Sequence, residues 1–379
     1  MRFNFSEVSS NVNEVERSFK LHCCSKLRDF VFKYEDLLGK EIWDVLDEEI
    51  QQDPGAFLSA INSYASRKGN LPIYLLIDEY DNFTNTILST YGTEYYQKAT
   101  HGEGFVRGFF NVIKAATTGT GSALQRMFIT GVSPVTMDDV TSGFNIGTNI
   151  TTDPWFNDLV GFSEAELREM LTYYKEQGVL MQTVDETIVM MKPNYDNYCF
   201  SEEKLAQCMF NSDMALYFMK SFVLHHVKPK EIVDPNIRTD FNKLAYLIRL
   251  DHGLGENFSV IKEIAEQGEI TTDIATHFSA LEMTDVRNFK SLLFYFGLLS
   301  IKGVDMVGRP ILHVPNLVVR EQLFSFLIQG YIKHDIFKID MNRMTMLFEN
   351  MAFRGDWKPL FNFIAEAIRE QSRIREYIE

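Results

Sequence analysis

The sequence predicts an α/β region with a parallel sheet, followed by a mostly α-helical region. Three observations predict it. Two short apolar runs, Leu71-Pro72-Ile73-Tyr74-Leu75-Leu76-Ile77 and Met127-Phe128-Ile129, each end in polar residues. A helical pattern, Gly104 to Ala116, separates them, as in a β-α-β plan. Beyond Ser201 the apolar residues recur mostly at helical spacing.

The elements follow in order. Arg2 to Ser6 alternates apolar and polar residues and reads as a strand. A helix is expected from about Asn11 to Phe32. Asp53-Pro54-Gly55 opens another, with Asp53 as cap and Pro54 at the first helical position. It runs to about Arg67, and Gly69-Asn70 ends it. The next strand, through Ile77, has the β-branched content of a strand buried on both faces. Met127 to Ser133 is the third strand. Thr136 to Asp158, rich in Thr, Asn, Asp and Gly, reads as a long loop at the C-terminal edge of the sheet. Ser163 and Glu166 form a capping box for the helix that follows. Asn194 to Tyr198 reads as a polar aromatic loop.

Asp240 to Gln329 reads as a separate helical unit. Helices are expected at Phe241–Leu250, Ser259–Gln267 and Asp285–Phe296, then a hairpin of Leu298–Ile301 against Ile311–Val314. Three helices and a hairpin suggest a winged-helix-like arrangement. A helix follows from Asn316, and an amphipathic one runs from about Trp357 to Ile378. The expected organisation is an α/β domain over 1–222, a linker over 223–239, the winged-helix-like unit over 240–330 and C-terminal helices over 331–379.

Composition bounds the function. The chain has 379 residues, 45% apolar and 13% aromatic, which is globular and long enough for more than one core. It holds no uninterrupted 18-residue apolar run, so no membrane partner is expected. The N-terminus is too short and polar for a signal peptide. Four cysteines, Cys23, Cys24, Cys199 and Cys208, show no CxxC spacing, and a reducing, cytoplasmic location is expected. The net charge of −15 is uneven: Phe241 to Glu379 carries 16 basic and 18 acidic residues, the remainder 21 and 34. The acidic N-terminal part is a poor nucleic-acid surface, whereas the near-neutral C-terminal part stays open to that role.

The chemistry-bearing stretch is Leu75-Leu76-Ile77-Asp78-Glu79-Tyr80-Asp81. A strand ending in Asp-Glu has the Walker B pattern. The first carboxylate, Asp78, holds Mg²⁺, usually through water, and the second, Glu79, orients or deprotonates the attacking water. Alternatively these acids cap the next helix. The third strand ends at Thr130, with Ser133 in reserve. This is the place of the polar residue that senses the γ-phosphate in P-loop ATPases of the AAA type. Otherwise the Thr130 hydroxyl bonds backbone. Asp81 assists the site or caps a helix. Nowhere does the chain contain G-x-x-x-x-G-K-[ST]. Thr117-Thr118-Gly119-Thr120-Gly121-Ser122 lacks the lysine and precedes a strand, so it reads as a plain loop. His225-His226 has no metal-spaced partner.

These residues resemble the AAA-ATPase-like proteins of anaerobic gut bacteria. The resemblance rests on Phe3-Asn4-Phe5-Ser6, the stretch ending at Asp81, Phe128 to Pro134, Ser142-Gly143-Phe144-Asn145, Gly161-Phe162-Ser163-Glu164 and the Asn194–Phe200 loop, in order over Met1 to Phe222. It implies a P-loop ATPase-like domain using ATP and Mg²⁺, a winged-helix-like region, and a following PD-(D/E)xK nuclease-superfamily domain. In the family the first strand and glycine-rich loop precede Phe3, and the nuclease domain follows Glu379. The expectation is therefore an incomplete P-loop NTPase (AAA-like) sheet in a fragment of a longer protein. As written, it is expected to hydrolyse ATP poorly and to self-associate through the open sheet. The alternative is a non-enzymatic nucleic-acid or protein interaction scaffold, with Lys302, Arg309 and Arg320 on or near the wing.

Overall fold

Three parallel strands form the N-terminal sheet of the computed structural model: β1 (Arg2–Asn4), β2 (Ile73–Asp78) and β3 (Leu124–Ile129), in the order β1-β2-β3. The structure describes all residues except 70, 120, 142–146, 226–228, 230, 232–255, 334–339 and 377–379. The expected helix Phe241–Leu250, most of the 223–239 linker, the Ser142–Asn145 motif, His226 and Ile378 lie outside the described residues.

Register pairs Asn4 with Asp78 and Leu76 with Phe128. The helix Pro54–Arg67 delivers the chain to β2, its N-terminus capped by Asp53, whose Oδ1 accepts from Ala56 N at 2.6 Å. Helix Phe105–Thr118 links β2 to β3, as the β-α-β pattern predicts. One sheet face is packed. Phe3, Ile73, Leu75 and Ile77 are buried with Phe19 and Phe109 from the covering helices. The Phe3 and Phe109 rings meet edge-on at 5.6 Å.

The opposite face corrects the expected two-sided burial of β2. Tyr74 is 55% exposed, Leu76 44% and Phe128 41%. The period-2 alternation of a strand puts these residues on one side. Among the described residues no helix covers them, so β2 is buried on one side only. Two boundaries also differ. β3 starts at Leu124 and ends at Ile129, leaving Thr130 to Ser133 as a connecting turn. Part of the expected 136–158 loop is helical, as Val135–Thr141 and the short turn Pro154–Phe156.

Helices Glu164–Glu176, Val184–Tyr195 and Ser212–His225 share a second apolar core containing Leu167, Leu171, Ile188, Met191, Phe218 and, from further along the chain, Val318. The Ser163–Glu166 capping box forms as expected, and Thr183–Glu186 forms a second one. Asn194 and Tyr195 end a helix instead of starting a loop, because the buried Tyr195 packs edge-on against Phe218 at 5.9 Å.

Further on, helix Glu256–Gln267 leads into β4 (Glu269–Thr271), and helix Val286–Tyr295 leads into the hairpin β5 (Ser300–Val304) and β6 (Pro310–His313). The sheet is antiparallel, in the order β4-β6-β5. The hairpin starts two residues later than expected. Gly297, at φ 71°, closes the preceding helix, and the N–H groups of Leu298 and Leu299 both bond the Leu293 carbonyl. These residues therefore satisfy helix-end carbonyls and are not free for the ladder. The apolar core of this unit, including Ile261, Leu292 and Leu312, is continuous with that of the N-terminal sheet. Helix Leu317–Lys333 starts after Asn316, which accepts from Val319 N. Two amphipathic helices, Met341–Arg354 and Lys358–Glu376, follow, joined through Gly355 in the left-handed region. No helix is long and apolar enough to cross a membrane among the described residues.

Candidate functional site

The site is built where β2 and β3 end. A parallel sheet brings the C-terminal ends of neighbouring strands to one edge, and ligands of open α/β folds bind there. The ladder continues one step past the strands: Thr130 N donates to Ile77 O at 2.8 Å and Tyr80 N to Thr130 O at 3.0 Å. This places Asp78 beside Thr130, and the Thr130 hydroxyl donates to Asp78 Oδ1 at 2.7 Å. Arg2, on the same open face of β1, donates to Asp78 Oδ2 at 3.1 Å. The Thr130 bond first, and then Arg2, hold the Asp78 carboxyl below its ordinary pKa. The carboxylate is partly exposed, so it stays ionised and reachable at neutral pH.

Glu79 turns the chain. Its φ of 51° is in the left-handed region, uncommon for a residue with a side chain and frequent at functional turns. Its Oε2 accepts from Asn82 Nδ2 at 2.6 Å. The structure therefore joins Asp78 to Thr130, while the bond of Glu79 runs to the start of the next helix.

Asp81 occupies the cap position of helix Asn82–Tyr91, yet its carboxylate makes no capping bond to that helix. It is fully buried and reaches across to the other strand end. Oδ1 accepts from Val132 N at 3.0 Å, and Oδ2 from Ser133 N at 3.0 Å and Asn85 Nδ2 at 2.7 Å. Ser133 is buried, and its carbonyl accepts from the Tyr80 hydroxyl. Gly131 is required by this closeness, because a β-carbon there would land on the Tyr80 ring and 2.7 Å from Asp81 Oδ1. Asp78 and Thr130 thus make an outer polar layer, and Asp81, Tyr80 and Ser133 an inner one that fixes the turn.

Sequence reasoning does not single out Arg2 or Asn85, and it reads Tyr80 only as part of the acidic turn. The signal for Arg2 is its place two residues before Asn4, the register partner of Asp78, but that register is a tertiary fact. Among the described residues no cluster of three or more His, Cys, Asp or Glu could hold a metal ion. Asp78 offers a single carboxylate with a hydroxyl beside it. That donor set suits Mg²⁺ held through water, with phosphate oxygens completing the shell.

Residues 1–141 match the model of an AAA-ATPase-like family described as "Predicted AAA-ATPase". No curated protein and no solved structure matches the chain.

Proposed function

We propose that the N-terminal sheet region is an AAA-ATPase-like nucleotide-binding module whose Mg²⁺–nucleotide site lies at the C-terminal ends of β2 and β3. One observation carries the proposal: the Thr130 hydroxyl is bonded to Asp78 across neighbouring parallel strands, inside the matched region. In this reading Asp78 holds Mg²⁺ through water, Glu79 orients or deprotonates the attacking water, and Thr130 senses the terminal phosphate. Asp81 and Ser133 act from behind by fixing the turn that carries Thr130. Bound Mg²⁺ would supply charge neutralisation for the phosphates. No G-x-x-x-x-G-K-[ST] loop exists in these 379 residues, so the backbone cradle such a loop provides is not on this chain. Weak nucleotide binding and negligible hydrolysis by the chain alone are expected.

In this reading the unit over 256–313 serves as a lid packed on the sheet region. It touches the site region directly: Ala280 N donates to Asp139 Oδ2 at 3.0 Å, from the helix that follows Thr130–Pro134. The scaffold alternative through nucleic acid has less support. Lys302 pairs with Glu269, Arg309 with Asp305, and Arg320 lies over the Phe324 ring. A DNA titration over a salt series should accordingly show little binding and no clear salt slope.

The test of the main reading is equilibrium titration of the chain with a fluorescent ATP analogue, with and without Mg²⁺. Mg²⁺-dependent binding that Asp78→Asn reduces at least about tenfold, about 1.4 kcal/mol, is expected. Binding indifferent to both Mg²⁺ and Asp78→Asn would place the nucleotide elsewhere or nowhere on this chain.

A further inference from the structure

A second chemical feature lies away from the strand ends. All four cysteines are free thiols. Tyr198 and Met209 form an antiparallel bridge, with Tyr198 N donating to Met209 O at 3.1 Å and Met209 N to Tyr198 O at 2.7 Å. Beside such a doubly bonded pair, an antiparallel ladder places a pair without mutual backbone bonds, its Cα atoms about 4.5 Å apart and its side chains on one face. The residues in that position are Cys199 and Cys208. The spacing falls inside the roughly 4.4–6.8 Å that a disulfide spans. Both thiols donate to carbonyls of the intervening loop, Cys199 Sγ to Ser201 O at 3.1 Å and Cys208 Sγ to Leu205 O at 3.5 Å.

The surroundings hold the pair in place. Cys199 is buried and Cys208 is half-buried at the end of an exposed loop. The buried Asn157 cinches that loop: its Oδ1 accepts from Phe200 N at 2.9 Å and Ser201 N at 3.1 Å, and its Nδ2 donates to Gln207 O at 2.9 Å. Cys199 is anchored on its other side to β5, donating its N–H to Ser300 Oγ at 2.7 Å and accepting from Ile301 N at 3.1 Å.

We propose that Cys199 and Cys208 are a reversible oxidation site, closing into a cross-strand disulfide when the protein meets a hydroperoxide. The reachable Cys208 thiol passes its proton to the Cys199 thiolate, and its sulfur attacks the peroxide O–O bond. A sulfenic acid forms on Cys208, and the other oxygen leaves as water or an alcohol after taking a proton. The Cys199 sulfur then attacks the Cys208 sulfur, the S–S bond forms, the S–O bond breaks, and the second oxygen leaves as water. Two thiols are oxidised by two electrons, and the peroxide is reduced by the same two. The neighbouring Cys208 lowers the Cys199 thiol to about 7 and is itself pushed up, so Cys199 is the member of the pair that ionises near neutral pH and can take the Cys208 proton. The product staples the 200–208 loop beside β5.

The test uses the full chain treated with hydrogen peroxide, alkylated and digested with trypsin without reduction. Cleavage after Lys204 separates the two cysteines, so the link is read directly as a peptide pair. The expected result is a Cys199–Cys208 pair, with loss of two hydrogens, reversed by a dithiol. In Cys199→Ser, Cys208 should stop at the sulfenic acid and be trapped by dimedone, whereas the unaltered chain gives several-fold less adduct. Either of two results overturns the proposal: no linked peptide at peroxide levels that label Cys208, or equal dimedone labelling in the unaltered chain and Cys199→Ser. Cys208→Ser, a change at a half-buried position, keeps the fold as a control and should show no linkage.

Discussion

At the residue scale, one buried carboxylate and one exposed carboxylate divide the work of the strand ends. Asp81 satisfies two backbone N–H groups and the Asn85 amide in a site closed to water. Removing it leaves buried donors unpaired, at about 1–3 kcal/mol each. Asp81→Ala is therefore expected to lower stability by about 2–4 kcal/mol, measured by urea unfolding, even if Asp78 is untouched. Asp78 behaves differently. Its folded-state pKa is depressed, chiefly by the Thr130 hydroxyl and then by Arg2. The stabilisation it contributes is present above the unfolded value, about 3.9, and is lost as pH falls through the lower folded value. Following the Asp78 carboxyl carbon by NMR should give a midpoint below that reference, and Thr130→Val should move it up. A midpoint at or above the reference would mean that the bond to Thr130 does not form in solution.

At the scale of elements, the parallel sheet is unusual because one face is bare. Parallel sheets are covered on both faces in most α/β proteins, since each crossover lays a helix on one side or the other. Here β2 carries Tyr74 and Leu76, and β3 Phe128, on a face without a covering helix among the described residues, and β3 is an edge strand. An open edge beside exposed apolar side chains favours pairing with another chain. The chain is expected to self-associate in light scattering, and Leu76→Ser with Phe128→Ser is expected to shift it towards monomer. Both side chains lie outside the packed core, so unfolding should change by less than about 1 kcal/mol. Unchanged association in the double variant would assign it to another surface, such as the exposed Phe353 and Trp357 at the junction of the two C-terminal helices.

At the scale of the whole molecule, the contact between the sheet region and the 256–313 unit runs through Asp139. Its carboxylate accepts from Tyr96 Oη at 2.7 Å and Ala280 N at 3.0 Å, with His101 Nε2 3.5 Å away. Burial pushes the Asp139 carboxyl up despite these bonds. Its pH effect is thus opposite to that of Asp78: its stabilising contribution is complete below the unfolded value and is lost as pH rises through the raised folded one. Unfolding measured at a series of pH values should show this slope in the unaltered chain and not in Asp139→Asn. Asp139→Ala should also speed hydrogen exchange at the Ala280 amide, because that N–H loses its acceptor. Protection at Ala280 unchanged by the substitution would remove Asp139 as the link between the two units.

Local signals are legible in the chain order alone. The Asp53 cap, the Ser163–Glu166 box, the strand stop at Asp78 and the hairpin after Gly297 depend on neighbours a few residues away, and side-chain chemistry acts at that range. Asp78 and Thr130 can be named as a pair because each ends an apolar run in a β-α-β pattern. What the chain order could not decide was set by contacts between distant segments. The bare face of β2 follows from where helices pack, and an apolar run reads the same whether one face or both are covered. The engagement of Asp81 with Val132 and Ser133 spans 51 and 52 positions and depends on strand register. The three-residue β4 exists only because β6 offers it a ladder, as a strand that short has no period to read. The sequence by itself determined which residues carry charge and hydroxyls at the strand ends. Only the tertiary structure decided which of them meet, which are buried and which face the open side, because pairing and burial are properties of the packed chain and not of its local order.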